Sequence, residues 1–257
     1  MWDPSAFPRS RGAAELSRDG RLARLVFNNP AARNAMSVGM MADFLDGVER
    51  LASDPPTALI MHGQPGAGFC AGGDLRDVRA HLMNSATAAG MPEVMGDALH
   101  TLASLPTVIV AAVEGYALGG GAELTQAADV IIAAESARIG FVQARLGVSP
   151  GWGGGALLID RVGRSRALQV LAAARRYTAV EALAVGLVDE VVGDGQALDA
   201  ADALAANVLE SPTESVQGIL QIIRSSDPKR TERAVFAELW SGERHRAVME
   251  TVNTGSE

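Results

Sequence analysis

The stretch with the most chemical potential runs Gly115-Tyr116-Ala117-Leu118-Gly119-Gly120-Gly121-Ala122-Glu123-Leu124. It follows the β-branched apolar run Val108 to Val113 and leads into the helix formers Leu124 to Ala128, a pattern that predicts strand, tight glycine turn and helix. Three consecutive glycines leave the main chain bare, so a ligand can reach the peptide N–H groups unobstructed. The unpaired amides of a helix's first turn suit a negative oxygen, and Glu123 supplies a carboxylate a few residues on. The same glycines would equally let strand and helix pack closely, and this stretch alone leaves both readings open.

A second stretch repeats the arrangement. Thr57 to Met61 reads as a short buried strand, Gly63 to Gly73 as a glycine-rich loop ending Phe69-Cys70-Ala71-Gly72-Gly73, and Asp74 as the N-cap of the next helix. Two glycine loops with free amides, each at a helix start, could serve one anionic centre. Other chemistries find less support. The four histidines, His62, His81, His100 and His245, show no metal-ligand spacing, so no metal site is expected. Gly63 to Gly68 lacks the context of a dinucleotide fingerprint, and there is no Gly-x-Ser-x-Gly elbow. Cys70, the sole cysteine, reads as a small buried residue rather than a nucleophile.

The elements that would position these residues are legible in order. Ala14 to Leu16 and Leu22 to Phe27 flank Asp19-Gly20 as a hairpin. Ser37 caps a helix whose Val38, Met41, Phe44, Leu45, Val48 and Leu51 form one apolar stripe. Leu82 to Pro92 reads as a loop, Val94 to Leu105 as an amphipathic helix, Ala128 to Ala133 as a buried strand, and Ala137 to Val142 as extended. Gln143 to Gly155 reads as a loop carrying Pro150-Gly151-Trp152-Gly153-Gly154. Ser165 to Ala173, Thr178 to Leu187, Leu198 to Leu209, Pro212 to Ile223 and Thr231 to Val252 read as helices. Strand-rich units followed by helices predict an α/β core, taken as residues 1–195, with a helical region over 196–257.

At 257 residues with a formal net charge of -8, the chain lacks the clustered basic charge of a nucleic-acid surface. Its longest apolar runs fall far short of the ~20 residues that span a bilayer. One unpaired cysteine and an N-terminus without a basic-then-apolar leader predict a cytoplasmic protein.

Four motifs, taken together, resemble the crotonase superfamily, the enoyl-CoA hydratase/isomerase family. They are Asn29-Pro30 with Asn34-Ala35-Met36-Ser37, then Phe69 to Leu75, then Gly115 to Leu124, then Leu146-Gly147 with Pro150 and Gly153-Gly154. The resemblance implies a spiral of ββα units, trimers often paired into hexamers, and a coenzyme A thioester as ligand, with no separate cofactor. It implies that the main-chain N–H groups of Gly73 and Gly120 form an oxyanion hole and that Glu123 and Gln143 occupy the acid–base positions. It also implies that Arg33, Asn34, Ala35, Met36, Ala71, Gly72 and Asp74 lie along the coenzyme A side, the Ala71 carbonyl and the loop 33–36 holding the adenine end. From residue type alone, Trp152 and Trp240 read as packing residues or acyl-pocket walls, Trp152 the better pocket candidate because glycines flank it, and the segment 82–92 and the helix around Trp240 would shape that pocket.

Two departures from the family pattern carry information. Many relatives place a basic residue where this chain has Ala31, which leaves Arg33 or another arginine to meet the phosphates. Family hydratases use two glutamates, and the second falls on Gln143. An amide does not exchange a proton as a carboxyl group does, and adding water across a double bond needs a base on the water and an acid at carbon. Decarboxylation of a malonyl-type thioester asks mainly for enolate stabilisation and orientation of the breaking bond. With Leu239-Trp240-Ser241-Gly242-Glu243 added, the combination looks most like the ethylmalonyl-CoA/methylmalonyl-CoA decarboxylase branch. A hydratase or isomerase relying on Glu123, and a non-catalytic acyl-CoA binder, are the alternatives.

Overall fold

A computed structural model describes residues 3, 12–83 and 85–254. Strands β1 (Ala13–Asp19) and β2 (Leu22–Asn28) form the expected antiparallel hairpin, and α1 (Val38–Ser53) follows with the Ser37 hydroxyl accepting from the Met40 N–H at 3.1 Å. Strand β3 (Ala58–Gly63), β4 (Val108–Val113), β6 (Val130–Ala134) and β9 (Glu190–Val192) then add in parallel to give one six-stranded sheet, ordered β1-β2-β3-β4-β6-β9. A smaller sheet, β5-β7-β8, pairs Tyr116–Leu118 with Arg138–Gly140 and Tyr177–Thr178.

The period of two along the strands divides the core between the two faces of the large sheet. Leu59, Met61, Ile109, Ala111, Val113, Ile131 and Ala133 face the main core with the α1 stripe. Ala58, Ile60, Val110, Ala112 and Ile132 face the opposite way, against Ala197, Ala201 and Ala205 of α7 (Ala197–Leu209). Small alanines on that helix let it lie close on the sheet.

The structure corrects the sequence reading at four places. The glycine stretch is not a single turn: the chain leaves β4 at Gly115, which takes φ 58°, and adds β5 to the second sheet before α4 (Gly120–Thr125) begins. The expected loop over 82–92 is mostly the start of α3 (Ser85–Ser104), which follows α2 (Leu75–His81) and carries Pro92 inside it. Local breakers lose there to packing, because Gly96 lets the helix backbone meet Gly153, and Pro92 abuts Gly151. The expected loop over 143–155 holds a 3-10 turn at Gln143–Leu146, and α5 already starts at Gly154 and runs to Ala173, interrupted at Gly163 (φ 77°, ψ 160°). The expected single helix over 231–252 is two, α9 (Pro228–Ser241) and α10 (Glu243–Thr254), because Gly242 is extended.

Helix α6 (Ala179–Val185) follows β8, and α8 (Thr213–Ile223) carries a buried Val216 and Leu220. Arg224 ties the end of α8 to the sheet through the carboxylate of Asp129 at 2.8 Å. Outward-facing Phe236 and Trp240 stack at 5.2 Å between centroids, 61% and 58% exposed. The groove beside Trp240 is lined from residues 212–248 and shares no residue with the cleft described below, so this tryptophan stands apart from the glycine loops of its own chain.

Candidate active site

The two glycine loops are joined by main-chain bonds before any ligand is considered. Cys70 N–H donates to Tyr116 O at 2.9 Å and Leu118 N–H to Cys70 O at 3.0 Å. Met36 N–H donates to Gly72 O at 2.7 Å, and Asp74 N–H to Met36 O at 2.8 Å. In that parallel bridge the Gly73 N–H faces the other way, and neither it nor the Gly120 N–H has a main-chain partner among the described residues. A Cβ on Gly72 would lie 3.4 Å from Gly120 N, which puts the two amide-bearing turns side by side. Because α4 has six residues, the site is better described as two aimed amides than as a helix dipole.

Trp152 covers both. A methyl group built on Gly120 would overlap the indole, 2.6 Å from Cη2 and closer still to Cζ3 and Cε3, and one on Gly73 would lie 3.9 Å from Cζ2 and 3.3 Å from Val78 Cγ2. The benzo edge of the ring therefore runs across the pair of glycines. Trp152 is 5% exposed.

Glu123 is buried behind this ring. Its Oε1 accepts from Gln143 Nε2 at 2.8 Å and from Gly151 N–H at 3.2 Å. Its Oε2 accepts from Trp152 N–H at 2.8 Å and from Gly154 N–H at 3.1 Å. Burial pushes the carboxyl up from the ordinary range, and the amides of Trp152 and Gly151, then Gln143 and Gly154, pull it back. Main-chain amides can only donate, so the arrangement suits the carboxylate. Gln143 must then point Nε2 at Glu123, and its Oε1 is left buried without a partner among the described residues.

The residues expected along the coenzyme A side divide into lining and framing residues. Arg33, Ala35, Ala71, Gly73 and Asp74 line a cleft of about 870 Å³ together with Ala31 and Arg76. Asp74 also caps α2, its Oδ1 accepting from Arg76 N–H at 2.8 Å. The Ala71 N–H is bound to Arg33 O at 3.2 Å, whereas its carbonyl accepts from no main-chain N–H among the described residues. Asn34, Met36 and Gly72 do not line the cleft. Asn34 is wholly buried, accepts from Asn29 N–H at 2.9 Å and donates to Gly68 O at 2.6 Å, so it ties the first loop to the second. That tie holds Arg33 and Asn34 both at φ 55°, in the left-handed region, a conformation asparagine tolerates well. Met36 is buried in the core.

Sequence reasoning missed the donors to Glu123 and the position of Arg76. The run Pro150 to Gly154 signals a tight turn but not which group its amides face. Arg76 could have been found as the basic residue in the first turn after Gly73.

Cys70 lies among these loops fully buried, its thiol pushed up to about 12 by burial. The native protein is expected to resist iodoacetamide over hours and to react fully after denaturation, with intact mass as the check. Fast native labelling would contradict this packing. Among the described residues no group of histidines, cysteines and acids could hold a metal ion, and no helix is long and apolar enough to cross a membrane.

Comparison with known proteins agrees with the geometry. A family model described as enoyl-CoA hydratase/isomerase matches residues 18–241. An ethylmalonyl-CoA decarboxylase from Danio rerio is 37% identical over 249 residues, covering 92% of this chain and 82% of the relative. One of the same name from Xenopus laevis is 34% identical, covering 90% and 80%. A solved enoyl-CoA hydratase/isomerase structure from Mycobacterium abscessus superposes with a TM-score of 0.85 at 26% identity, covering 95% of this chain and 98% of that one. With the motifs, the fold and the paired glycine loops in agreement, the chain belongs to the enoyl-CoA hydratase/isomerase, or crotonase, family.

Proposed function

We propose that this enzyme is a lyase that decarboxylates a malonyl-type coenzyme A thioester bearing an α-alkyl group, of the methylmalonyl or ethylmalonyl kind. The observation that carries the reading is the state of the acid–base positions. One is an amide, Gln143, and the other, Glu123, spends its carboxylate on four internal donors. No pair of free carboxyl groups remains to activate water and protonate carbon. The relatives named ethylmalonyl-CoA decarboxylase support the same reading.

The mechanism needs little more than the two amides. The bond between the α-carbon and its carboxylate breaks, and its electron pair moves into the thioester to give an enolate. Carbon dioxide leaves. The Gly73 and Gly120 N–H groups hold the oxygen on which that charge develops, each such donor being worth about 3 kcal/mol in the barrier. A solvent-derived proton then adds to the α-carbon, giving the saturated acyl thioester.

Arg33 and Arg76 are the cleft's candidates for the phosphates, and the chemistry calls for no cofactor beyond the substrate's own coenzyme A. The apolar outer faces of α8 to α10 support assembly into trimers, or trimers paired as hexamers, with the region 196–257 carrying subunit contacts and covering the pocket. A cytoplasmic location fits the single buried thiol.

The test incubates the protein with methylmalonyl-, ethylmalonyl- and crotonyl-CoA and follows product masses. Loss of carbon dioxide from an alkylmalonyl thioester is expected. Hydration of crotonyl-CoA as the dominant reaction would return the chain to the hydratases, and no turnover with measurable acyl-CoA affinity would leave a binding protein.

A further inference from the structure

A carboxylate offers about four lone-pair positions, and Glu123 fills four: two donors on each oxygen, at 2.8 to 3.2 Å. At 2% exposure it has no free side for a water or a substrate proton. Three of its donors are amides of one turn, so what it fixes is the path of the chain through Gly151 to Gly154 and with it the Trp152 ring. That ring crosses Gly120 and Gly73. The ring flanks both glycines on the side that a Cβ would take, and a thioester oxygen reaching both amides has its α-carbon only two bonds away.

We propose that Glu123 is a positioning residue that seats this turn, and that Trp152, held by it, selects the α-alkyl group of the substrate by size. The proposal rests on the alkylmalonyl thioester reading and deepens it. Glu123 transfers no proton. The flat ring stops the subsite at a short alkyl group, and each methylene that it excludes discriminates by roughly tenfold or more.

Gln143 supplies a built-in control. In Glu123→Gln, one oxygen still accepts from Trp152 and Gly154, and the new amide faces Gln143, which can turn over and accept through its unpartnered Oε1. The 3.2 Å bond from Gly151 is lost, and turning Gln143 over moves its Nε2 into the buried place where Oε1 had no partner. Glu123→Ala loses all four.

Two readouts test this on the full chain. Calorimetry gives the affinities of propionyl-, butyryl- and hexanoyl-CoA, and steady-state kinetics gives kcat/KM for methylmalonyl-, ethylmalonyl- and butylmalonyl-CoA. In Trp152→Ala the preference for the longer member over the shorter should rise by about tenfold or more in both series, with Trp152→Phe between it and the parent. Glu123→Gln should keep the parent's selectivity, its pH profile and its turnover to within about tenfold, whereas Glu123→Ala should show the selectivity of Trp152→Ala. Selectivity ratios that move less than about twofold in both Trp152 variants would overturn the proposal. So would a loss of about a thousandfold in Glu123→Gln on every substrate with selectivity intact, the mark of a proton-transfer group. The calorimetric series reads the Trp152 wall even if no malonyl thioester is decarboxylated, an outcome that would sink the lyase reading alone.

Discussion

Replacing Gly120 with alanine is expected to lower kcat for decarboxylation by roughly 10²–10³-fold, while Gly73→Ala costs less than about tenfold. Both substitutions keep the amide, so neither removes a donor. The difference lies in what the new methyl meets. At Gly120 it overlaps the rigid Trp152 ring at three atoms, and ring or turn must move. The turn is held by Glu123, so the strain passes to the position of the Gly120 N–H itself. A misplacement near 1 Å in such a site typically costs ~10²-fold. At Gly73 the nearest atom is a Val78 methyl at 3.3 Å, which a small shift relieves. Overpacking at Gly120 should also cost about 1–3 kcal/mol of stability, so thermal melts must accompany the kinetics. Equal losses in the two variants would show that the ring does not lie across Gly120 as described.

Gln143→Glu should produce the largest change in pH dependence. It places a second carboxyl group within about 3 Å of Glu123, and two buried carboxylates that close cannot both ionise. One proton should stay on the pair in the folded state above the ordinary carboxyl range. The sign follows from linkage: a folded-state pKa raised above the unfolded value leaves stability intact below the unfolded pKa and removes it as pH rises through the folded one. The variant should therefore melt near the parent at pH 4–5 and fall behind by about 3 kcal/mol toward pH 8. Paired unfolding curves across that range are the check. The same variant should gain no hydration of crotonyl-CoA, because Glu123 stays turned onto the 151–154 amides and offers no free side to water or to a substrate proton. A parallel stability profile would mean that the side chains at 123 and 143 do not face each other.

The sequence made some parts of this site legible and hid others for physical reasons. Local signals carried the hairpin at Asp19-Gly20, the Ser37 cap and the α1 stripe, because each depends on neighbours a few residues apart. The pairing of Gly73 with Gly120 came from the family resemblance, and the bonds between Cys70 and the 116–118 strand show how the chain achieves it. Hidden were the features set by distant contacts. The glycines at 153–155 read as loop, yet Gly154 opens α5 because its lack of a side chain admits the backbone of Glu123. Pro92 reads as part of a loop, yet it sits in α3 against Gly151. Glu123 stood out in the sequence as a candidate carboxylate, but its engagement by three amides from 151–154 depends on backbone direction, which side-chain types do not report.

That engagement has a consequence for timescale. Amides in a surface turn ordinarily exchange their hydrogens through small local openings, within seconds to minutes. The Gly151, Trp152 and Gly154 amides can open only by uncovering a buried carboxylate, so their exchange should follow the slow unfolding of the domain's interior. A segment that is a loop in shape thereby behaves as core in time, and the Trp152 ring is already in place before any substrate arrives.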